Sequence, residues 1–135
     1  MIKTRPVTNS LYTNYFKKAE EYFEAAKDAM EKRRWNAVVV NSVHSGISSA
    51  DALTVFFKGF RHAGERHEDA ISLLKSLDFD PSEANNKSRQ LQRLLQVKNS
   101  AEYEEKLMSQ QDAENSLKDA ERFFEWVKEK LPSRD

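Results

Sequence analysis

The chain has 135 residues, enough for one domain with its own core and too few for two. Lysine plus arginine equals aspartate plus glutamate at 22 each, so no overall charge excess argues for a nucleic-acid or membrane partner, and any such binding must come from a local patch. The lack of cysteine excludes disulfides, thiolate metal sites and cysteine nucleophiles, and no run approaches the roughly 18 apolar residues a membrane helix needs.

A hydrophobic fraction of 39%, a charged fraction of 33% and only three glycines and three prolines favour long helices. The opening "MIKTRPVTNSLY" has no apolar signal core, and the chain reads as soluble and cytoplasmic. Charge is mildly uneven, with 11 basic and 7 acidic residues before His67.

Leu11, Tyr15, Ala19, Tyr22, Ala26 and Ala29 recur at three- and four-residue spacing and predict an amphipathic first helix, capped by Asn9 or Ser10. The next segment, Trp35 to Phe60, carries almost no charge apart from Asp51 and Lys58. A helix apolar or small on every side is buried centrally, and Ser42, Ser45, Gly46, Ser48, Ser49 and Ala50 let its neighbours approach closely. Gly59 and Gly64 then bracket a break before a short third helix with Ile71, Leu74 and Leu77 inward.

"DFDPSEANN" supplies an N-cap at Asp80, a first-turn Pro81 and a capping-box Glu83. A fourth helix with Leu91, Leu94 and Leu95 loosens around "VKNSAEYEEKLMS". Ser109 opens the last helix, whose stripe Ala113, Leu117, Ala120, Phe124, Val127 and Leu131 packs into a bundle. The expectation is one all-α domain over residues 1–135, an up-and-down bundle of four to five helices with a core from about 9 to 131 and disorder only at the extreme termini.

Ordered motifs extend this reading. Ala19, Phe23 and Ala26 in the first helix, a basic and aromatic turn, and Ala50, Ala52 and Leu53 closing the second are joined by Leu94, Leu95, Lys98, Ala101, Glu102 and Tyr103, then Ala113, Leu117, Ala120 and Phe124. Over roughly residues 11 to 131 this order resembles the HEPN (higher eukaryotes and prokaryotes nucleotide-binding) domain. The resemblance implies a helical bundle that commonly dimerises, so a homodimer is expected. Many relatives are metal-independent ribonucleases or toxins, in which an Arg and a His with four to six residues between them, from each protomer, meet across the dimer interface. Others lack that motif and serve as binding or scaffolding modules for RNA, nucleotides or partner proteins.

"GFRHAGERH" contains such a pair, Arg61 and His67, with His62 directly after the arginine. A guanidinium can hold a phosphate with two hydrogen bonds, and a histidine titrating near neutrality can move the proton of a ribose hydroxyl. In an unbroken helix six residues turn about 600°, so the pair converges only if Gly64 interrupts the helix. The alternative is a helix–turn–helix corner in which Arg61 caps the carbonyls of the second helix and His67, Glu68 and Asp69 begin the third.

In the family's nucleases the motif is expected nearer "QVKNSAEY", where Lys98 and Asn99 stand in for an Arg-Asn pair and Glu102 for a His or Asp. His44 reads as a hydrogen-bonded core residue. A buried Asp51 needs a partner, which makes Asp51, Arg61 and His67 a candidate polar network. The basic clusters Lys32-Arg33-Arg34 and Lys87, Arg89, Arg93 and Lys98 are sparse enough to be solvated faces. His62 and His67 have no third histidine near them, so neither a metal nor a cofactor is expected.

Two functions stay open. One is a HEPN-type binding or interaction module for nucleotide or RNA, with Asp51, His62, Lys98 and Tyr103 as ligand-binding residues beside Arg61 and His67. The other is a metal-independent endoribonuclease, a toxin or defence component, with Arg61 on phosphate and His67 as general acid and base.

Overall fold

The computed structural model describes residues 2–132 and is all-α apart from one short ribbon. Its elements run β1 (Thr4–Pro6), α1 (Tyr12–Glu31), α2 (Trp35–Lys58), β2 (Phe60–His62), α3 (His67–Lys75), α4 (Pro81–Tyr103) and α5 (Gln110–Lys130). The expected C-terminal disorder falls on residues 133–135, outside the described residues.

The nearly uncharged α2 is the central helix, packed by α1, α4 and α5. Its small residues set the spacing. The Ser45 hydroxyl donates to the Ala19 carbonyl at 2.9 Å, and a Cβ added at Gly46 would lie 2.7 Å from the Leu94 side chain. On α1 the inward stripe is Phe16, Ala19, Phe23, Ala26 and Ala29, because Phe16 and Phe23 stack on Phe124 at 5.0 and 5.4 Å. Tyr15 and Tyr22, expected inward, are half-buried on the flank, and Leu11 is exposed. Leu73, Leu74 and Leu77 are buried around α3, whereas Ile71 is only partly covered.

Helix ends show where local chemistry sufficed. Asp80 accepts from the Glu83 amide with Pro81 in the first turn, and Ser109 and Asp112 form a reciprocal capping box. Glu83 does not complete a box. Its carboxylate accepts from Trp126 Nε1 and pairs with Lys130, tying α4 to α5. Neither Asn9 nor Ser10 caps α1. Instead the Asn9 amide donates to the Val55 and Phe56 carbonyls, at 3.1 and 2.9 Å, and so serves the end of α2.

The corner after α2 departs most from expectation. Gly59 takes the left-handed conformation, φ 73°, and terminates α2. The chain then forms β2, antiparallel to β1, with Arg5 opposite Arg61 and Thr4 opposite His62. Gly64 is not the breaking residue. It gives room to the His62 ring, whose Nε2 would sit 3.3 Å from a Cβ there. Because Gly59 needs positive φ and a Cβ would also meet the Asn9 amide at 3.3 Å, Gly59→Ala should lower stability by about 1–2 kcal/mol in urea titrations.

Candidate functional site

Asp51 and Thr54 on α2, Arg61 and His62 on β2, His67 and Leu74 on α3, and Leu91, Leu95, Lys98 and Tyr103 on α4 surround a cavity of about 540 Å³. All six residues singled out in the sequence thus lie on one wall system, and Asn99 joins them. The volume falls in the range of small-molecule sites, and an apolar floor with a few polar groups is the usual composition of such sites.

The elements explain the convergence. The left-handed Gly59 turns the chain back along α2, and pairing with β1 fixes β2 as a strand, so Arg61 is not in a helix. With Asn9 occupying the last carbonyls of α2, Arg61 does not cap them and its Nη1 donates instead to the His62 carbonyl at 3.0 Å. His67 is the first residue of α3, with Glu68 and Asp69 behind it in the first turn. α4 continues through Tyr103 without the expected loosening. Lys98 and Glu102 pair one turn apart at 3.2 Å, and Glu102 reaches His44 on α2 at 2.6 Å.

Three ionisable groups are perturbed here. Burial pushes the Asp51 carboxyl up to about 7, against the opposing charges of Arg61 and Lys18. Among the described residues no hydrogen bond or ion pair reaches that carboxylate, so Asp51, Arg61 and His67 share a cavity but are not the bonded network the sequence suggested. Burial holds His62 below the ordinary histidine value, opposed by Asp69 and reinforced by Arg61 and His67. Its Nε2 is buried without a partner. Burial would raise Glu102, but hydrogen bonds from Lys98 and contact with His44 hold it below the ordinary value. The ionised carboxylate requires His44 Nε2 to be the donor, so His44 ties α2 to α4.

Chemically, the cavity offers a guanidinium anchored through one nitrogen, a histidine ring that burial disfavours in its charged form, an ammonium group on Lys98 and a carboxyl able to exchange a proton near neutrality. Tyr103 is 74% exposed at the rim, and Lys98 Nζ lies 5.4 Å from its ring centre. The other basic residues are elsewhere: Arg93 makes a bidentate pair with Asp119, and Lys32, Arg33 and Arg34 form the exposed α1–α2 turn. Among the described residues, no three acidic or histidine side chains are grouped to hold a metal ion.

Sequence reasoning missed Arg5, Tyr15, Lys18 and Tyr22, which line a second cavity against the other side of Asp51 and Arg61. The spacing of Tyr15, Lys18 and Tyr22 on one helical face was the available signal; nothing local marked Arg5.

No described helix is long and apolar enough to cross a membrane. No curated protein matches the chain by sequence. The HEPN domain model matches residues 12–130, which takes in all five helices and the cavity between them. On that match, with the helical bundle it describes, the chain belongs to the HEPN family.

Proposed function

We propose that this chain is a HEPN-type binding module whose cavity takes a nucleotide, either free or as part of an RNA. The observation that carries the reading is the convergence of Arg61, His62, His67 and Lys98 on one cavity of small-molecule size with an apolar floor of Leu74, Leu91 and Leu95. A base has hydrogen-bonding edges for the polar wall and a flat face to cover Leu74, Leu91 and Leu95, while Arg61 and Lys98 suit its phosphate.

Equilibrium binding of AMP and of a ten-nucleotide mixed-sequence RNA tests this. Arg61→Ala and Lys98→Ala should each weaken retention about tenfold or more while melting temperature moves no further than for a surface substitution. Unchanged affinity in both, or loss of several degrees in both with no binding by wild type, contradicts the site.

One observation favours the ribonuclease reading: Asp51, tuned near neutrality, faces the same space as Arg61 and His67. There Arg61 would hold the phosphate and His67 would move protons. Incubation of mixed RNA in EDTA beside His67→Ala separates the two. Intact RNA supports the binding module, and cleavage lost in His67→Ala establishes the enzyme.

A further inference from the structure

On the other side of Asp51 and Arg61 lies the second cavity, of about 550 Å³, between β1, α1, α2 and β2. Its charged lining is Arg5, Lys18 and Arg61 against the single carboxyl of Asp51, with Tyr15, Tyr22, His44 and Ser48 completing the wall. Neither Arg5 nor Lys18 has a carboxylate within ion-pair distance among the described residues, and Lys18 Nζ lies 5.5 Å from the centre of the Tyr15 ring.

The ribbon makes the charge pattern more telling. Arg5 and Arg61 are directly opposed across the antiparallel pair, so their side chains leave the same face, and both line this cavity. Like charges directly opposite each other work against the pairing of a ribbon, here held by its backbone bonds and by the flanking Val7–Gly59 and Ala63–Lys3 hydrogen bonds. An anion between the two guanidiniums turns that repulsion into two attractions.

We propose that this second cavity is a binding site for a phosphate group, gripped by Arg5, Lys18 and Arg61. Guanidiniums pair bidentately with phosphate oxygens, Lys18 adds a point charge from α1, and the tyrosine and serine hydroxyls are neutral donors. Because Arg61 faces both cavities, a phosphate here also fixes the side chain that the first cavity uses. The site does not depend on a nucleotide occupying the first cavity.

Calorimetric titration with inorganic phosphate and with pyrophosphate, at constant ionic strength set by chloride, tests the proposal. One saturable site is expected, weakened roughly tenfold by Lys18→Gln and by Arg5→Gln. Lys17→Gln, which removes an equal charge from the same helix outside the cavity, should leave the affinity within twofold. Arg5 and Lys18 are exposed, so neither variant should lower the melting temperature, and Arg5→Gln, which removes the charge opposite Arg61, should if anything raise it in the absence of phosphate. Absence of saturable binding overturns the site, as does an equal loss in Lys17→Gln and Lys18→Gln. Weakening by Lys98→Gln but not by Lys18→Gln would place the anion in the first cavity and also overturn it. A mixed hexaribonucleotide displaced by phosphate, with the same dependence on Lys18, identifies backbone phosphate as the source. If phosphate binds and the hexamer does not compete, the source is a free phosphorylated molecule.

Discussion

Asp51→Asn should stabilise the protein by on the order of 2–4 kcal/mol at pH 8, and the gain should shrink steadily as the pH falls toward 4. The direction follows from the shift. Burial raises the folded-state value from 3.8 to about 7, so between those two values the folded protein binds more protons at Asp51 than the unfolded chain does. Stability contributed by this group is therefore present at low pH and lost as the pH rises through 7; above that the whole cost of an ionised, unbonded carboxylate is felt. Asparagine keeps the shape and never ionises. Urea titrations of both proteins at pH 5 and pH 8, compared by difference, isolate the effect from every other group. Destabilisation by Asp51→Asn at pH 8 would mean that the carboxylate is held by a direct ion pair.

A carboxyl perturbed by burial beside specific opposing charges marks a candidate functional position. Asp51 separates the two cavities and answers Arg61 and Lys18 without touching either.

The second large effect is structural. Phe123→Ala should cost about 3–5 kcal/mol, read as a lower midpoint in chemical denaturation. Phe123 is fully buried on α5, with its ring centre 5.8 Å from that of Trp126, and it belongs to the cluster that joins α1, α2, α4 and α5. Removing the ring leaves a void no neighbour can fill without shifting a helix. Since no α5 residue lines the first cavity, the folded fraction should bind its ligand with wild-type affinity. Equal losses of stability and affinity would mean that α5 positions the site.

Much of the bundle was legible because its signals are local. An uncharged stretch of helical length marks α2 as central, and Asp80–Pro81 and Ser109 mark helix starts that the structure retains. The ribbon was not legible. Three residues at Thr4–Pro6 meet three at Phe60–His62, too short for an alternating pattern, and Pro6 argues against a strand. The pairing spans most of the first half of the chain, and that distance also hid Asn9 as the cap of α2 and Arg5 as the neighbour of Arg61. Within the first cavity, Arg61 and His67 stood out by their glycines and Asp51 by its isolation in an apolar helix. What composition could not supply was the reason they converge, a left-handed Gly59 followed by a strand.

The imidazoles of His62 and His67 give the most direct test of the proposal that the first cavity takes a nucleotide. In solution NMR, the imidazole resonances of His62 and His67 should shift and saturate together as AMP is added, while the indole signals of Trp35 and Trp126, which do not line the cavity, stay in place. Histidine signals that do not move at saturating AMP, or shifts confined to the basic turn at Lys32, Arg33 and Arg34, would contradict the account.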